Sequence, residues 1–172
     1  SLPNLASRPI PEGRIMDPEI VNHLDYCPDT GLLRWKVSRG SIRPVGSVAG
    51  FPSRGGYLRL NFRCQGYQAH RVAWFIMTGK EPKATIDHIN GDGADNRWCN
   101  LREATQAQNN CNRRPAGSWP KGVTLHKAGR FQAQISSDGK HYYLGLFDTQ
   151  EAAHAAYSAA ALRYHGQFAR IA

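Results

Sequence analysis

Residues of the types that hydrolytic chemistry needs are grouped in the middle of the chain. Asp87 and His88 stand side by side, Asn100 follows a stretch rich in Gly, Asp and Asn, and Asn109 comes further along. Carboxylate and amide oxygens are hard ligands suited to Mg²⁺, which keeps several waters when it binds protein. An imidazole, with an ordinary pKa of about 6.5, can take a proton from water near neutral pH. Together these groups could hydrolyse a phosphodiester with one metal ion.

The elements that must position these residues follow from the same segment. Residues 86–89 are predicted to form a short strand, residues 90–100 a loop, and residues 101–103 a second strand. Thr105 is a good N-cap for a helix that runs to about Arg114. This order is expected to bring Asn109 back towards Asp87. An isolated Asp-His pair would more often be a polar turn, but the spacing of the later asparagines favours a site.

Residues 86–114 resemble the ββα-metal finger of HNH endonucleases, particularly the branch found in phage-encoded homing enzymes. The resemblance is carried by Asp-His-Ile-Asn-Gly-Asp, then Asp-Asn-Arg, Asn-Leu-Arg and a Gln-Asn pair. It implies that His88 is the general base, that Asp87 and Asn109 bind the metal, and that Asn100 pins the loop between the strands.

Two details of this motif bear on the assignment. The last position is asparagine and not histidine, and Asn110 directly follows Asn109. Residues one apart on a helix point about 100° apart, so only one of them can face a metal. Asn109 is preferred, with a slip to Asn110 left open. Arg102, in the Asn-Leu-Arg run, is counted among the predicted DNA contacts.

The composition favours a polyanionic partner. Of the 172 residues, 22 are Lys or Arg and 13 are Asp or Glu, which gives a formal net charge of +9, and both halves of the chain are basic. Double-stranded DNA is the expected partner; no protein partner is implied, and the oligomeric state is left open. No apolar run approaches a membrane span and no signal peptide opens the chain, so a cytoplasmic location is predicted, in the host cell if the protein is phage-encoded.

The N-terminal part is predicted to contain β-hairpins and helices before the finger. Residues 1–15 are expected to be a flexible arm or residues added for expression, and residues 16–24 a short helix with Pro18 in its first turn. A turn leads to a strand at Leu33–Trp35, residues 57–62 form another, and residues 70–77 form a helix that ends at Gly79. The scattered cysteines contain no Cys-x-x-Cys pair, so reduced thiols are favoured over zinc or disulfides.

Beyond a Pro/Gly/Ser junction near residue 116, the pattern becomes that of strands. Residues 130–136 alternate in polarity, Asp138-Gly139 indicates a hairpin, and residues 150–165 form an alanine-rich helix. This module resembles the Apetala-two/ethylene-response-factor DNA-binding domain, whose sheet enters the major groove. Thr124 and His126 replace the usual arginines and Tyr143 the tryptophan, so no target sequence can be carried over. The predicted DNA-facing side chains are Thr124, His126, Arg130, Gln132, Gln134, Ser136 and Tyr143.

The predicted fold is therefore α+β in two domains. An HNH nuclease domain (16–115), with β-hairpins and a helix before its ββα-metal finger, precedes a small domain (116–172) with a three-stranded antiparallel sheet packed on one helix. The predicted function is Mg²⁺- or Mn²⁺-dependent cleavage of duplex DNA at a site that the second domain finds. The alternatives are a DNA-binding regulator with a purely structural finger and a non-specific nuclease.

Overall fold

The computed structural model describes residues 15–38, 43–115 and 117–171. It is a mixed fold of short helices and small sheets, and it forms two compact units with a border between Glu103 and Ala104. The predicted N-terminal arm lies outside the described residues except for Ile15, which is exposed. The predicted domain junction near residue 116 stays a prediction, and the border between the compact units lies before it.

The described part of the chain up to residue 104 contains two α-helices and seven short strands. In chain order they are α1 (Ile20–His23), β1 (Leu24–Tyr26), β2 (Leu33–Trp35), β3 (Phe51–Pro52), β4 (Leu58–Phe62), β5 (Gln65–Gln68), α2 (Ala69–Thr78), β6 (Thr85–His88) and β7 (Leu101–Ala104). Strands β1 and β2 pair antiparallel, β3, β4 and β5 form an antiparallel sheet in that order, and β6 pairs with β7. Residues 98–100 form one 3₁₀ turn just before β7.

Two segments differ from the sequence-based expectation. The helix predicted for residues 16–24 is confined to α1, because Leu24 begins β1, where it pairs with Trp35 and is fully buried. The predicted loop 90–100 ends in the 3₁₀ turn, where the Asn100 amide donates to the Arg97 carbonyl. Helix α2 lies within one residue of its predicted bounds. Gly79 ends it in the left-handed region at φ 69°, a conformation that glycine adopts at little energetic cost because it has no Cβ.

A single apolar cluster joins the elements of the first unit. Ile20, Leu24 and Phe62 are fully buried in it, and Val72 packs from α2. In β4, Leu60 and Phe62 are buried while Asn61 between them is exposed, as strand alternation requires. This cluster extends to Ile86 of β6 and so holds the strand that ends at His88.

The second unit contains α3 (Gln106–Asn112), β8 (Val123–Leu125), β9 (Phe131–Ser137), β10 (Lys140–Phe147) and α4 (Gln150–His165). The three strands form an antiparallel sheet in the order β10, β9, β8. Alanines on α4 let the helix lie close to this sheet, since Ala153 packs with Val123 and Ala161 packs with Ile135. Across all described residues, every helix is too short or too polar to cross a membrane.

The turn between β1 and β2 makes close contact with the loop before β7. Gly31 has φ 72°, and a Cβ built on it would lie 2.5 Å from the backbone N of Arg97 and the backbone C of Asn96. The Trp98 amide donates to the Pro28 carbonyl at 2.9 Å, and the Tyr26 hydroxyl donates to the Asn96 carbonyl at 2.7 Å. A turn distant in sequence therefore holds Asn96 in place.

Gly31→Ala should destabilise the protein more than Gly46→Ala does. Gly46 has φ 82° but no atom within 4 Å of a built Cβ, so it reports the backbone strain alone. The clash at Gly31 should add about 1–3 kcal/mol to the loss of unfolding free energy. Urea unfolding of both variants measures the difference, and equal losses would contradict the close approach.

Candidate functional site

Asp87 and His88 lie at the end of β6, and each is only 4% exposed. The His88 Nε2 lies 3.0 Å from the Oδ1 of Asn96, which is itself buried. With the Asn96 amide oxygen facing the ring, Nε2 is the donor of this hydrogen bond, an arrangement that leaves the lone pair of a neutral imidazole on Nδ1. Sequence reasoning gave Asn96 no role, although it lies in the Asp-Asn-Arg motif.

Two further aromatic side chains surround the His88 ring. The His70 ring meets it edge-on with centroids 5.1 Å apart, and the Tyr57 ring lies 5.7 Å away. Burial, with smaller contributions from His88 and Arg71, lowers the pKa of His70 to about 3. A Cβ on Gly93 would lie 2.7 Å from the Tyr57 ring, so the loop also packs tightly here. The structure thus places His70 directly against His88.

The side chain of Asn100 links the two ends of the loop between β6 and β7. Its Oδ1 accepts from the backbone amide of Asn90 at 2.9 Å. Its Nδ2 donates to the side-chain Oδ1 of Asn90 at 3.0 Å and to the backbone carbonyl of Asp95 at 2.7 Å. The backbone adds a bond from the Ile89 amide to the Asn100 carbonyl at 2.9 Å. Asn100 therefore ties the loop at the positions that flank Asn96.

Asp95 gives the same loop a second internal tie. Arg97 donates to its Oδ1 through Nε at 2.9 Å and to its Oδ2 through Nη2 at 2.7 Å, and Asn90 Nδ2 donates to Oδ2 at 2.7 Å. These bonds, those from Arg97 above all, lower the pKa of Asp95 to about 2. The carboxylate therefore stays charged at any pH near neutrality.

Asp87 has a guanidinium partner that the sequence did not predict. Arg102, on β7, donates to the Asp87 Oδ2 through Nε at 2.8 Å and through Nη2 at 2.7 Å. The Arg102 side chain is 15% exposed. The structure thus pairs Arg102 with the proposed metal ligand, and its predicted contact with DNA stays a prediction.

Asn109 lies on α3, in the second unit, and is half-buried. Thr105 caps this helix as expected: its hydroxyl accepts from the Gln108 amide, and the Gln108 side chain accepts from the Thr105 amide. The neighbouring Asn110 is exposed, and its Oδ1 accepts from Gln106 Nε2 at 3.2 Å. The side-chain oxygen of Asn110 is therefore already used in a hydrogen bond within α3.

The solvent face of the β8–β9–β10 sheet carries most of the side chains predicted to face DNA. Gln134 pairs with Tyr143 across β9 and β10, and Ser136 pairs with His141, whose Nδ1 lies 2.7 Å from the Ser136 hydroxyl. Thr124 pairs with Gln132 across β8 and β9, and His126 follows in the β8–β9 turn. His141 is exposed on this face and was missed, because it lies next to the Asp-Gly turn.

Arg130 and the bulge in β10 modify this face. Arg130 Nε forms a 2.8 Å ion pair with Asp148, and its Nη2 donates to the Leu146 carbonyl at 3.3 Å. Both side chains of the pair are exposed, so water weakens the attraction. The register shifts between Tyr143 and Gly145, where Gly145 has φ 135°. This bulge places Leu146, across from Gln132, on the otherwise polar face.

A family model for HNH endonucleases matches residues 67–111, the segment that contains Asp87, His88, Asn100 and Asn109. The C-terminal region is similar to plant proteins. APETALA2-like protein 2 of Oryza sativa subsp. indica is 49% identical over 49 residues, which is 27% of this chain and 11% of the relative. The chain thus combines an HNH-like segment with an AP2-like region. The resemblances to both families are confirmed.

The other relatives agree with this assignment. The protein of the same name from Oryza sativa subsp. japonica has the same identity and coverage. An AP2-like ethylene-responsive transcription factor of Arabidopsis thaliana is 35% identical over 81 residues, which is 41% of this chain. The chain spans 11% to 19% of the length of these curated relatives. The roles of the individual HNH and AP2-like residues stay predictions.

His70 should make the protein lose stability in acid. Its native pKa of about 3 lies below the ordinary value of 6.5, so between these two pH values the unfolded chain binds a proton that the native state excludes. The unfolding free energy therefore falls as the pH drops below 6.5, by up to about 1.4 kcal/mol per pH unit for one group.

His70→Phe should make this acid loss shallower, because a phenyl ring fills the same space and does not titrate. Urea unfolding between pH 7 and pH 4.5 measures it through tryptophan fluorescence, since three of the four tryptophans, Trp35, Trp74 and Trp98, lie in the first unit. The comparison uses slopes with pH, so a constant offset from repacking does not matter. Equal slopes of unfolding free energy against pH in the wild type and His70→Phe would contradict the low pKa of His70.

Proposed function

We propose that this protein is an HNH-type endonuclease that hydrolyses phosphodiester bonds in duplex DNA with a divalent cation, Mg²⁺ or Mn²⁺. The observation that carries the proposal is the 3.0 Å contact between His88 Nε2 and Asn96 Oδ1 inside the segment that matches HNH endonucleases. It orients the imidazole and assigns its lone pair to Nδ1, as a general base requires. The Asp-His-Ile-Asn-Gly-Asp run further supports the phage homing branch.

In the proposed reaction, His88 Nδ1 takes a proton from a water molecule as the water oxygen attacks phosphorus. The bond from phosphorus to the leaving oxygen breaks, the leaving oxygen gains a proton from solvent, and the products are a phosphate end and a hydroxyl end. Asn96 holds the ring through its hydrogen bond to Nε2, and the same bond stabilises the imidazolium that forms when Nδ1 takes the proton. Asn100 holds the loop that carries Asn96.

The donor set fits a hard divalent cation that keeps much of its water. Asp87 offers a buried carboxylate, and Asn109 would add an amide oxygen. The described residues contain no group of three or more His, Cys, Asp or Glu side chains that could hold a metal, which favours Mg²⁺ over a closed zinc site. When bound, such an ion would stabilise charge on the phosphate and its leaving oxygen.

Arg102 and Asn110 bear on these two proposed ligands. The guanidinium of Arg102 compensates the burial of the Asp87 carboxylate and orients it, so Arg102 is proposed to position this ligand. The Asn110 Oδ1 already accepts from Gln106, which supports Asn109 as the ligand from α3.

The C-terminal sheet is proposed to choose where the DNA is cut. The relatives that match this region are named as transcription factors or as APETALA2-like, and glutamine side chains suit hydrogen bonding to base edges in the major groove. Gln132, Gln134 and Tyr143 lie on the solvent face of the sheet, and His141 joins the proposed set. Such a face is proposed to deliver the nuclease to specific sites on duplex DNA.

His88→Ala should lower the rate of plasmid nicking by about 10²-fold or more, because a general base is lost. Supercoiled plasmid is incubated with Mg²⁺, with Mn²⁺ or with EDTA, and EDTA should abolish nicking by the wild type. DNA affinity and the urea midpoint are measured in parallel to establish that the fold is kept. Full activity of His88→Ala would show that His88 is not the general base. A wild type that binds duplex DNA but does not nick it would favour the alternative function, a DNA-binding regulator with a purely structural finger.

Asn96→Leu is the matched companion in this assay. Leucine removes the Asn96 Nδ2, which is buried without a hydrogen-bond partner, but it also leaves the buried Nε2 proton of His88 without an acceptor, so the unfolding free energy should fall by no more than about 1–3 kcal/mol. Nicking should fall as well, because the ring of His88 is no longer held by this hydrogen bond. Unchanged nicking would mean that the contact does not orient the base.

Gln134→Ala should reduce discrimination between DNA sequences while leaving nicking chemistry intact. The wild type and the variant are each incubated with a randomised duplex pool at fixed salt, and the bound fraction is sequenced. Loss of one base-edge contact should cost about 1–3 kcal/mol of discrimination. The control is Arg163→Ala, which removes an exposed cation from α4 and should leave the preferred sequence unchanged. Identical preferences for wild type and Gln134→Ala would place recognition elsewhere.

A further inference from the structure

The last turn of α3 ends against a lysine that is not part of the helix. Lys121 Nζ donates to the Arg113 carbonyl at 2.8 Å and to the Asn110 carbonyl at 3.4 Å, and it also donates to the Cys111 carbonyl. The last carbonyls of a helix lack intrahelical partners, and a cation placed there also meets the negative end of the helix dipole. One ammonium group thus serves three carbonyls of the segment 110–113.

The backbone that carries Lys121 is itself firmly held. The next residue, Gly122, has φ 76°, and a Cβ built on it would lie 1.9 Å from the ring of Tyr157 on α4. The Gly122 carbonyl accepts from the Gln134 amide of β9 at 2.9 Å. Tyr157 packs with Ile135 and Ala161 in the core of the second unit. Sheet and helix therefore fix the point from which the lysine reaches α3.

The surroundings of the Lys121 ammonium group favour hydrogen bonds to the carbonyls over hydration by solvent. Lys121 is half-buried, and burial lowers its pKa from the ordinary value. A desolvated cation is stable only when other groups replace its water, and the three carbonyls do so. A cavity of about 620 Å³ that Lys121 and Cys111 help to line leaves room for a longer side chain beside it.

We propose that Lys121 is a positioning residue of the nuclease, which clamps the C-terminal carbonyls of α3 and thereby holds Asn109 in place for the cation. The inference rests on the proposed function, since it takes Asn109 as the metal ligand. Lys121, which lies two residues before the first strand of the C-terminal sheet, would then also hold the helix of the HNH-like segment.

The test compares Lys121→Met, Lys121→Arg and Lys127→Met in the 172-residue chain. Methionine keeps the apolar stem and removes the donors, whereas arginine keeps a cation with several donors. Lys127 is an exposed lysine in the β8–β9 turn, so its replacement makes the same charge change away from α3. The readouts are hydrogen exchange of residues 105–113 without metal or DNA, Mn²⁺ affinity, duplex affinity and nicking rate.

Lys121→Met should speed exchange in α3 and weaken Mn²⁺ binding, each by about tenfold, because the helix end loses a cation and three hydrogen bonds. Its nicking rate should fall at saturating DNA. Lys121→Arg should restore all three values to within about threefold of the wild type, since the cation returns. Lys127→Met should leave the exchange of α3 and the Mn²⁺ affinity unchanged.

Two results would overturn the inference. Unchanged α3 exchange in Lys121→Met, with weaker duplex binding, would make Lys121 a phosphate contact. Faster exchange with unchanged Mn²⁺ affinity would reduce it to a helix cap without a role at the site. A wild type that does not nick DNA would instead refute the proposed function, and the exchange measurement would still decide whether the clamp exists.

Discussion

The amide of Asn100 spans the loop between β6 and β7, and the arrangement around His88 depends on it. The side chain is almost fully buried and bonds to Asn90 and to the Asp95 carbonyl. Leaving a buried amide without partners costs about 1–3 kcal/mol, so the loop cannot open cheaply at either end. The backbone between these ties carries Asn96, whose oxygen meets the imidazole. A side chain with no chemical task thereby controls the orientation of the proposed base.

The charges around this loop are compensated within the protein. Asp87 is paired with Arg102 and Asp95 with Arg97, and the low pKa of His70 keeps that neighbour of His88 neutral at physiological pH. A phosphate group that approaches therefore meets carboxylates whose negative charge is already screened by guanidinium groups. The repulsion that two bare carboxylates would exert on a polyanion is thereby reduced by the protein's own cations.

Features set by neighbouring residues could be predicted from the sequence, and features set by distant ones could not. Thr105 and Gly79 mark helix ends because the cap and the left-handed turn are local, and Asp87-His88 is recognisable because the motif is continuous. Asn96, Tyr57 and Arg102 gained their roles from tertiary contacts. The shortening of α1 has the same origin, because pairing of Leu24 with Trp35 outweighs the helical pattern of residues 16–24. No local pattern encodes such contacts.

The helix α3 belongs to the HNH-like segment by sequence and to the second compact unit by its packing. A recombination event at the composition boundary near residue 116 would join α3 to a foreign module. Unless the foreign module supplied a cation at the position of Lys121 and a glycine after it, the carbonyls at the end of α3 would lose their hydrogen-bond donor. If Lys121 positions α3 as proposed, residues 117–172 could be exchanged only for a segment that supplies the same cation and the same glycine next to the helix end.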